Sequence, residues 1–243
     1  MSSMKKAFDN LIVIGRPACG KSEFIDFIKN KTGDADRLKN LFIVPFQELD
    51  DFVWLWEKCG EDDIWEKLGY ERIVSKRSGN GYFISNHRLY DFLIEKMNCE
   101  AGNLFKSNPE FHRDRTLLIE FSRGLKNAYD NALNRLSEEI LRKAAIFYIK
   151  VSFEESLKRN EARYREKLKH SILAHKVPDE EMYEYYNVDD WDDITVGKEG
   201  GHLTLRGIKV PFVTMGNEPE SKDPAVLGPR YSNALGRLWD LRR

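Results

Sequence analysis

Cysteine is scarce in this 243-residue chain: Cys19, Cys59 and Cys99 lie far apart, with no CxxC pair and no Cys/His cluster at zinc spacing. That excludes a disulfide-stapled scaffold or a zinc module, and a reducing, cytoplasmic setting is the simplest expectation. Long hydrophobic runs are also missing. Leu11–Ile14 and Leu117–Ile119 are strand-sized, far short of the ~20 apolar residues that cross a bilayer. Met1 to Asn10 carries two lysines and no apolar segment of the kind a secretory signal needs. Neither sign of charge dominates: 39 basic against 40 acidic residues leave a formal net charge of −1. Such a balance argues against a nucleic-acid-coating surface. The five histidines, His87, His112, His170, His175 and His202, form no HxH or HExxH spacing, so surface or packing roles are expected of them. Trp54, Trp56 and Trp65 fall in a helical stretch and read as core.

What the chain does have is an alternation of strand-like and helix-like segments, the pattern of a parallel sheet covered by helices. Strands are expected at 11–14, 41–46, 116–121, 145–151 and 210–215. Helices are expected from Lys21 to about Lys31 and over 51–68, 89–98, 127–143 and 231–242, with one more after Ser152. There, Ser152 and Glu155 have the spacing of a capping box. The fold expected is three-layer α/β/α with a five-stranded parallel sheet. It would be a single domain over 1–243, with insertions at about 52–115 on the acceptor side and about 164–209 as a lid. Two stretches break the rhythm. Residues 69–88 are glycine-rich and basic (Arg72, Lys76, Arg77, Arg88), and residues 176–203 are acidic and aromatic around Tyr183, Tyr185, Tyr186, Asp189, Asp190 and Trp191.

The strongest local signal is Gly15-Arg16-Pro17-Ala18-Cys19-Gly20-Lys21-Ser22, which fits G-x-x-x-x-G-K-[ST] between an apolar strand and an amphipathic helix. Glycines let successive backbone N–H groups turn inward toward phosphate oxygens, and the helix N-terminus adds partial positive charge. Lys21 is expected to bridge β- and γ-phosphates and Ser22 to ligate Mg²⁺. Cofactor contacts are accordingly expected along Gly15, Arg16, Pro17, Ala18, Cys19, Gly20, Lys21, Ser22 and Glu23. A thiol at a helix N-terminus can have a lowered pKa, but Cys19 reads more simply as a small residue at a variable loop position.

Three further features bear on what happens to the phosphate. Glu120 ends the 116–121 strand, where a carboxylate can hold Mg²⁺ beside Ser22, and Arg123 follows within reach of an acceptor or phosphate. Gln47-Glu48-Leu49-Asp50-Asp51 places carboxylates after the second strand. Asp50, ahead of Asp51 and Glu48, can orient an acceptor hydroxyl and take its proton, or can cap the helix that follows. Arg159 and Arg163, four apart, share a helical face that can present guanidinium groups to a base and to the transferring phosphate; Glu155 is also placed to pair with Arg159.

At these residues the chain resembles the nucleoside and nucleotide kinase group of P-loop proteins. The stretch Val151-Ser-Phe-Glu-Glu-Ser-Leu-Lys-Arg159-Asn-Glu-Ala-Arg163 is similar to the arginine-bearing helix that enters the lid of these kinases. The resemblance implies Arg159 against the adenine and Arg163 on phosphate. Glu120-Phe-Ser-Arg123 resembles the Glu-Arg-Ser segment of deoxynucleoside kinases, with two extra residues between Glu and Arg, and Asp50-Asp51-Phe52 resembles the Asp-Asp-Phe of riboside kinases. Gly216-Asn217-Glu218-Pro219 is placed like the adenine-binding loop, which implies a base contact at Asn217.

The function expected is ATP- and Mg²⁺-dependent phosphoryl transfer to a small-molecule acceptor, a nucleoside or nucleotide. Lys21, Asp50, Arg159 and Arg163 would be catalytic. ATP against another nucleoside triphosphate stays open, as does a homodimer; no membrane partner is expected and charge argues against nucleic acid. The alternatives are a regulatory or assembly NTPase acting through protein partners, with Tyr183–Trp191 as the partner site, and a kinase of nucleic-acid ends or of a protein. No Asn-Lys-x-Asp stretch supports a GTPase form of the former.

Overall fold

The structure, a computed structural model, describes residues 6–79, 81–168 and 176–242. His170 and His175 lie outside the described residues. Six strands form the central sheet in the order β2-β5-β1-β6-β8-β7. They are β1 (Asn10–Ile14), β2 (Phe46–Asp50), β5 (Thr116–Phe121), β6 (Ala144–Lys150), β7 (Gly200–Leu205) and β8 (Ile208–Gly216). The first five neighbours run parallel; β7 pairs antiparallel with β8 at the edge. Two short strands, β3 (Ser75–Ser78) and β4 (Gly81–Ile84), make a separate hairpin.

Parallel strands buried on both faces need continuous apolar sequence, and Leu11–Ile14, Leu117–Ile119 and Ala145–Ile149 supply it with side chains shielded from water. Alternate residues feed two cores. Leu11, Val13, Phe147 and Ile149 pack with helices α1 (Lys21–Asp26), α2 (Asp34–Leu41) and α10 (Pro224–Leu241). Ile12, Ile14, Ile119 and Ile146 face α4 (Arg88–Ser107), α5 (Ala128–Arg135), α6 (Glu138–Leu141) and α9 (Trp191–Thr195). A third cluster lies outside the sheet, where α3 (Asp51–Lys67), α4, the hairpin and α8 (Asp179–Glu184) meet. Helix α7 (Phe153–Leu168) follows β6. Among the described residues no helix is long and apolar enough to cross a membrane.

Several elements differ from expectation. The sheet has six strands, because β7 folds back on β8 as a hairpin through Arg206 and Gly207, both with positive φ. The apolar run Leu41–Phe46 is not the second strand. Leu41 ends α2, Phe42 turns left-handed at φ 58°, and Ile43 is buried below the sheet edge. Burial alone gives strand and buried coil the same composition, so the run misleads. The strand starts at Phe46 and brings Asp50 into register with Glu120. The expected 127–143 helix breaks in two, because Ser137 leaves the helix and caps α6 by accepting from the Ile140 N–H. The first helix continues past Asp26 as a π turn over Phe27–Lys31.

Residues 176–203 mix buried and exposed side chains, with Tyr183, Val188 and Val196 exposed. Met182, Tyr185, Tyr186 and Trp191 are buried. Trp191 stacks on Tyr148 with ring centroids 4.4 Å apart and donates from Nε1 to Thr214 Oγ1 at 2.8 Å. Asp190 caps α5 by accepting from the N–H groups of Tyr129 and Asp130. Gly124 permits this arrangement: a Cβ there would lie 1.9 Å from the Tyr185 carbonyl oxygen. Of the basic residues of 69–88, Arg72 and Arg77 both pair with Asp63 and Glu66 of α3. Trp191→Ala removes the stacked ring and its hydrogen bond and should cost about 3–5 kcal/mol, measured as a lower urea midpoint with unchanged secondary structure.

Candidate active site

Strand order reverses at β1. The crossover from β1 to β2 carries α1 and α2 on one face, and that from β5 to β6 carries α5 and α6 on the other. Crevices at the carboxyl ends of strands form at such points, and the Gly15–Ser22 loop occupies this one. Gly20 has φ 114°, and a Cβ there would lie 2.4 Å from Asn217 Nδ2, so no other residue fits. Asn217 Nδ2 donates to the Cys19 carbonyl at 2.8 Å, and Ser156 Oγ of α7 to the Pro17 carbonyl at 2.6 Å. The loop is thus pinned from β8 and from α7. The buried Lys21 ammonium donates to the carbonyls of Gly15 and Arg16 and to Ser122 Oγ at 2.6 Å, and Ser122 in turn donates to the Gly15 carbonyl. Burial raises the Cys19 thiol pKa, with Lys21 opposing, so the helix N-terminus does not activate it.

Arg16 turns away from the crevice. It pairs with Asp189 at 2.8 Å and donates to the carbonyls of Tyr186 and Val151. The Arg16 side chain therefore ties the loop to the 183–191 segment.

On the β5 side, Asp50 and Glu120 end neighbouring strands in direct register and line one cavity with Lys21 and Ser22. Asp50 also accepts from the Phe52 N–H at 2.9 Å, so it caps α3 while facing the cavity. Burial raises the Asp50 pKa. Glu120 is pushed up to about 7 by burial, with Asp50, Asp51 and Glu48 adding and Lys21 opposing. Asp51 is committed elsewhere: it is buried and receives Arg123 Nη1 at 2.6 Å. Arg123, whose expected role was to reach an acceptor or phosphate, also donates to the carbonyls of Ser122 and Tyr90 and lies under the Tyr90 and Phe121 rings. It is buried, and it also lines the cavity.

The arginine pair divides. Arg159 is buried, with Nε on Glu155 at 2.8 Å and Nη2 on the Asn217 carbonyl at 2.7 Å. Its guanidinium is enclosed within the fold and holds the loop after β8, which does not match the open stacking face expected. Arg163 lines the cavity and pairs with Glu23, and both arginines approach Glu220.

The far wall was not legible in the sequence. Phe52, Leu55 and Trp56 of α3, Tyr82 of the hairpin, Tyr90 of α4, and Glu181 and Tyr186 close a cavity of about 260 Å³ that runs to the Gly15–Ser22 loop. Trp56 therefore lines the cavity instead of the core, and Trp65 is exposed. Asp62 anchors the hairpin by accepting from the N–H groups of Ile73, Val74 and Ser75. Asn160 and Val177 exchange two hydrogen bonds across the remaining gap. Glu181 accepts from the Ile84 N–H and the Tyr90 hydroxyl, and burial still pushes it up to about 7. Only Ser122, two residues after Glu120 on the same strand end, had a positional signal.

Among the described residues no three His, Cys, Asp or Glu side chains cluster to hold a metal alone. A hard cation would instead share Ser22 and a carboxylate with ligand oxygens and water. Ser22 and Glu120 fit that demand: both line the cavity, and Glu120 carries the mutual repulsion of three neighbouring carboxylates that a cation relieves.

Fold and crevice together define an α/β protein with a mostly parallel six-stranded sheet and a cavity at its carboxyl edge. No family model matches the chain, and no curated protein does. Among solved structures, one described as the crystal structure of APE1195 is similar over 95% of this chain and 98% of its own, at 14% identity and a TM-score of 0.41.

Glu120 and Glu181 keep a proton when folded at pH values where the unfolded chain has lost it. Each folded pKa, about 7, stands above the ordinary 4.5. Stability should therefore fall as pH rises from 4.5 through about 7. Urea midpoints followed across that window should decline, and Glu120→Gln and Glu181→Gln should each flatten the decline.

Proposed function

We propose that the chain is a P-loop kinase: it transfers the γ-phosphoryl group of ATP, or of another nucleoside triphosphate, to a hydroxyl of a small-molecule acceptor, a nucleoside or nucleotide. One observation carries this reading. The loop bearing Lys21 and Ser22 opens into the same cavity as a strand-end carboxylate, Asp50, and an aromatic wall.

The chemistry asks for positioning and charge neutralisation more than covalent participation. Backbone N–H groups of the loop and the α1 N-terminus receive phosphate oxygens, and Lys21 exchanges its carbonyl partners for them. Arg163, held beside the loop by Glu23, neutralises charge on the transferring group. Ser22 and Glu120 would hold Mg²⁺, which supplies further neutralisation on the phosphates. The acceptor oxygen attacks phosphorus as the bond to the β-phosphate oxygen breaks; its proton passes to Asp50, and the nucleoside diphosphate departs. Arg159 acts at one remove, fixing the Asn217 carbonyl while the Asn217 amide fixes the loop at Cys19. The partner-regulated NTPase reading rests on the exposed Tyr183 and Val188, since Tyr185, Tyr186 and Trp191 are buried.

Incubation with Mg-ATP and pooled metabolites, read by mass spectrometry, should yield one phosphorylated product that is lost in Lys21→Ala. Asp50→Asn should lower turnover by about 10²–10⁴-fold with ATP affinity preserved. ATP binding with no transfer to any acceptor or to water would sink the proposal.

A further inference from the structure

We infer that Ser122 is a positioning residue: it lets the Lys21 ammonium pass from loop carbonyls to phosphate without leaving a buried polar group bare. The inference rests on the kinase reading above and adds a residue to which that reading assigns nothing.

Strand pairing puts Ser122 in place. β1 and β5 run parallel with Ile14 opposite Phe121, so Gly15 and Ser122 leave the sheet side by side. Gly15 is buried, whereas Ser122 lines the cavity two residues beyond Glu120. An ammonium has three N–H donors and no acceptor. Those of Lys21 go to the Gly15 carbonyl at 3.0 Å, the Arg16 carbonyl at 3.1 Å and Ser122 Oγ at 2.6 Å. Cys19 Sγ stands farther off at 3.9 Å. The Ser122 hydroxyl in turn donates to the Gly15 carbonyl at 2.9 Å, and the Cys19 N–H donates to the Arg16 carbonyl at 3.2 Å. Each carbonyl that holds Lys21 therefore has a second donor.

That double coverage decides what happens when a triphosphate arrives. Two N–H groups of Lys21 turn from the carbonyls to β- and γ-phosphate oxygens. The third stays on Ser122 Oγ, the shortest of its bonds, which keeps the ammonium aimed into the cavity. Arg16 then keeps the Cys19 N–H, and Gly15 keeps the Ser122 hydroxyl. With alanine at 122 the Gly15 carbonyl would lose its donor as Lys21 turned away. A buried carbonyl left bare costs its desolvation in full, which would be subtracted from phosphate binding. Without phosphate the hydroxyl matters less. Gly15 still holds Lys21, and water in the cavity can take the third N–H.

The test compares the intact parent protein with Ser122→Ala and Ser122→Thr. A fluorescent ATP analogue is titrated with Mg²⁺, and urea midpoints are taken without nucleotide. Ser122→Ala should bind the analogue about ten-fold more weakly, the lower end of the cost of an unpaired buried carbonyl. Ser122→Thr keeps the hydroxyl and should restore the affinity. The nucleotide-free midpoint of Ser122→Ala should stay near the parent's, whereas a hydroxyl that only braced the loop would lower it on removal. Unchanged affinity in Ser122→Ala, an equal loss in Ser122→Thr, or a collapsed nucleotide-free midpoint overturns the inference and leaves the kinase reading standing. A parent protein that does not bind the analogue overturns the kinase reading, and this inference with it.

Discussion

The buried ion pair between Asp51 and Arg123 ties together the parts on which the cavity depends. Asp51 opens α3, Arg123 follows β5, and the same guanidinium reaches the Tyr90 carbonyl of α4. Two charges in so dry a place are tolerated because the pair is short and the guanidinium also donates to two carbonyls. The α3 helix then carries Phe52 and Trp56 on the cavity side and Asp62 farther along, and Asp62 fixes the hairpin that brings Tyr82. Loosening this pair would move the aromatic wall as a body.

Arg123 engages Asp51, while Asp50 caps α3 and faces the cavity. Asp50 closes β2 and Asp51 opens α3, and both line the cavity. One meets Arg123, and the other meets Glu120 across the ladder. Burial raises the Glu120 pKa most, Lys21 opposes, and the neighbouring carboxylates Asp50, Asp51 and Glu48 add to the rise. Under the proposed function the same crowding favours a metal-bound triphosphate at the loop.

On the opposite side of the loop, Arg159, Asn217 and Ser156 hold the backbone from α7 and β8. These contacts place a highly buried arginine in a supporting role, one hydrogen bond removed from the loop it shapes. Arg163, one turn later on the helix, keeps part of its surface in the cavity. Sharing a helical face did not give the two arginines equal access, because the loop after β8 covers one and stops short of the other.

By itself the sequence determined the strand–loop–helix unit at Gly15–Ser22, the α/β alternation, and the candidacy of Asp50, Glu120 and Arg163. Each is encoded within a few residues by spacing, turn chemistry or apolar periodicity. The tertiary structure alone decided the sixth strand, the start of β2 at Phe46, and the burial of Tyr185, Tyr186 and Trp191. It alone brought Trp56, Tyr82, Tyr90 and Glu181 around one space. An acidic-aromatic run reads as surface until its carboxylates are seen capping and pairing inside the fold. Which ring faces a cavity is set by contacts between segments up to a hundred residues apart, as between Tyr90 and Glu181, and local pattern does not carry that information.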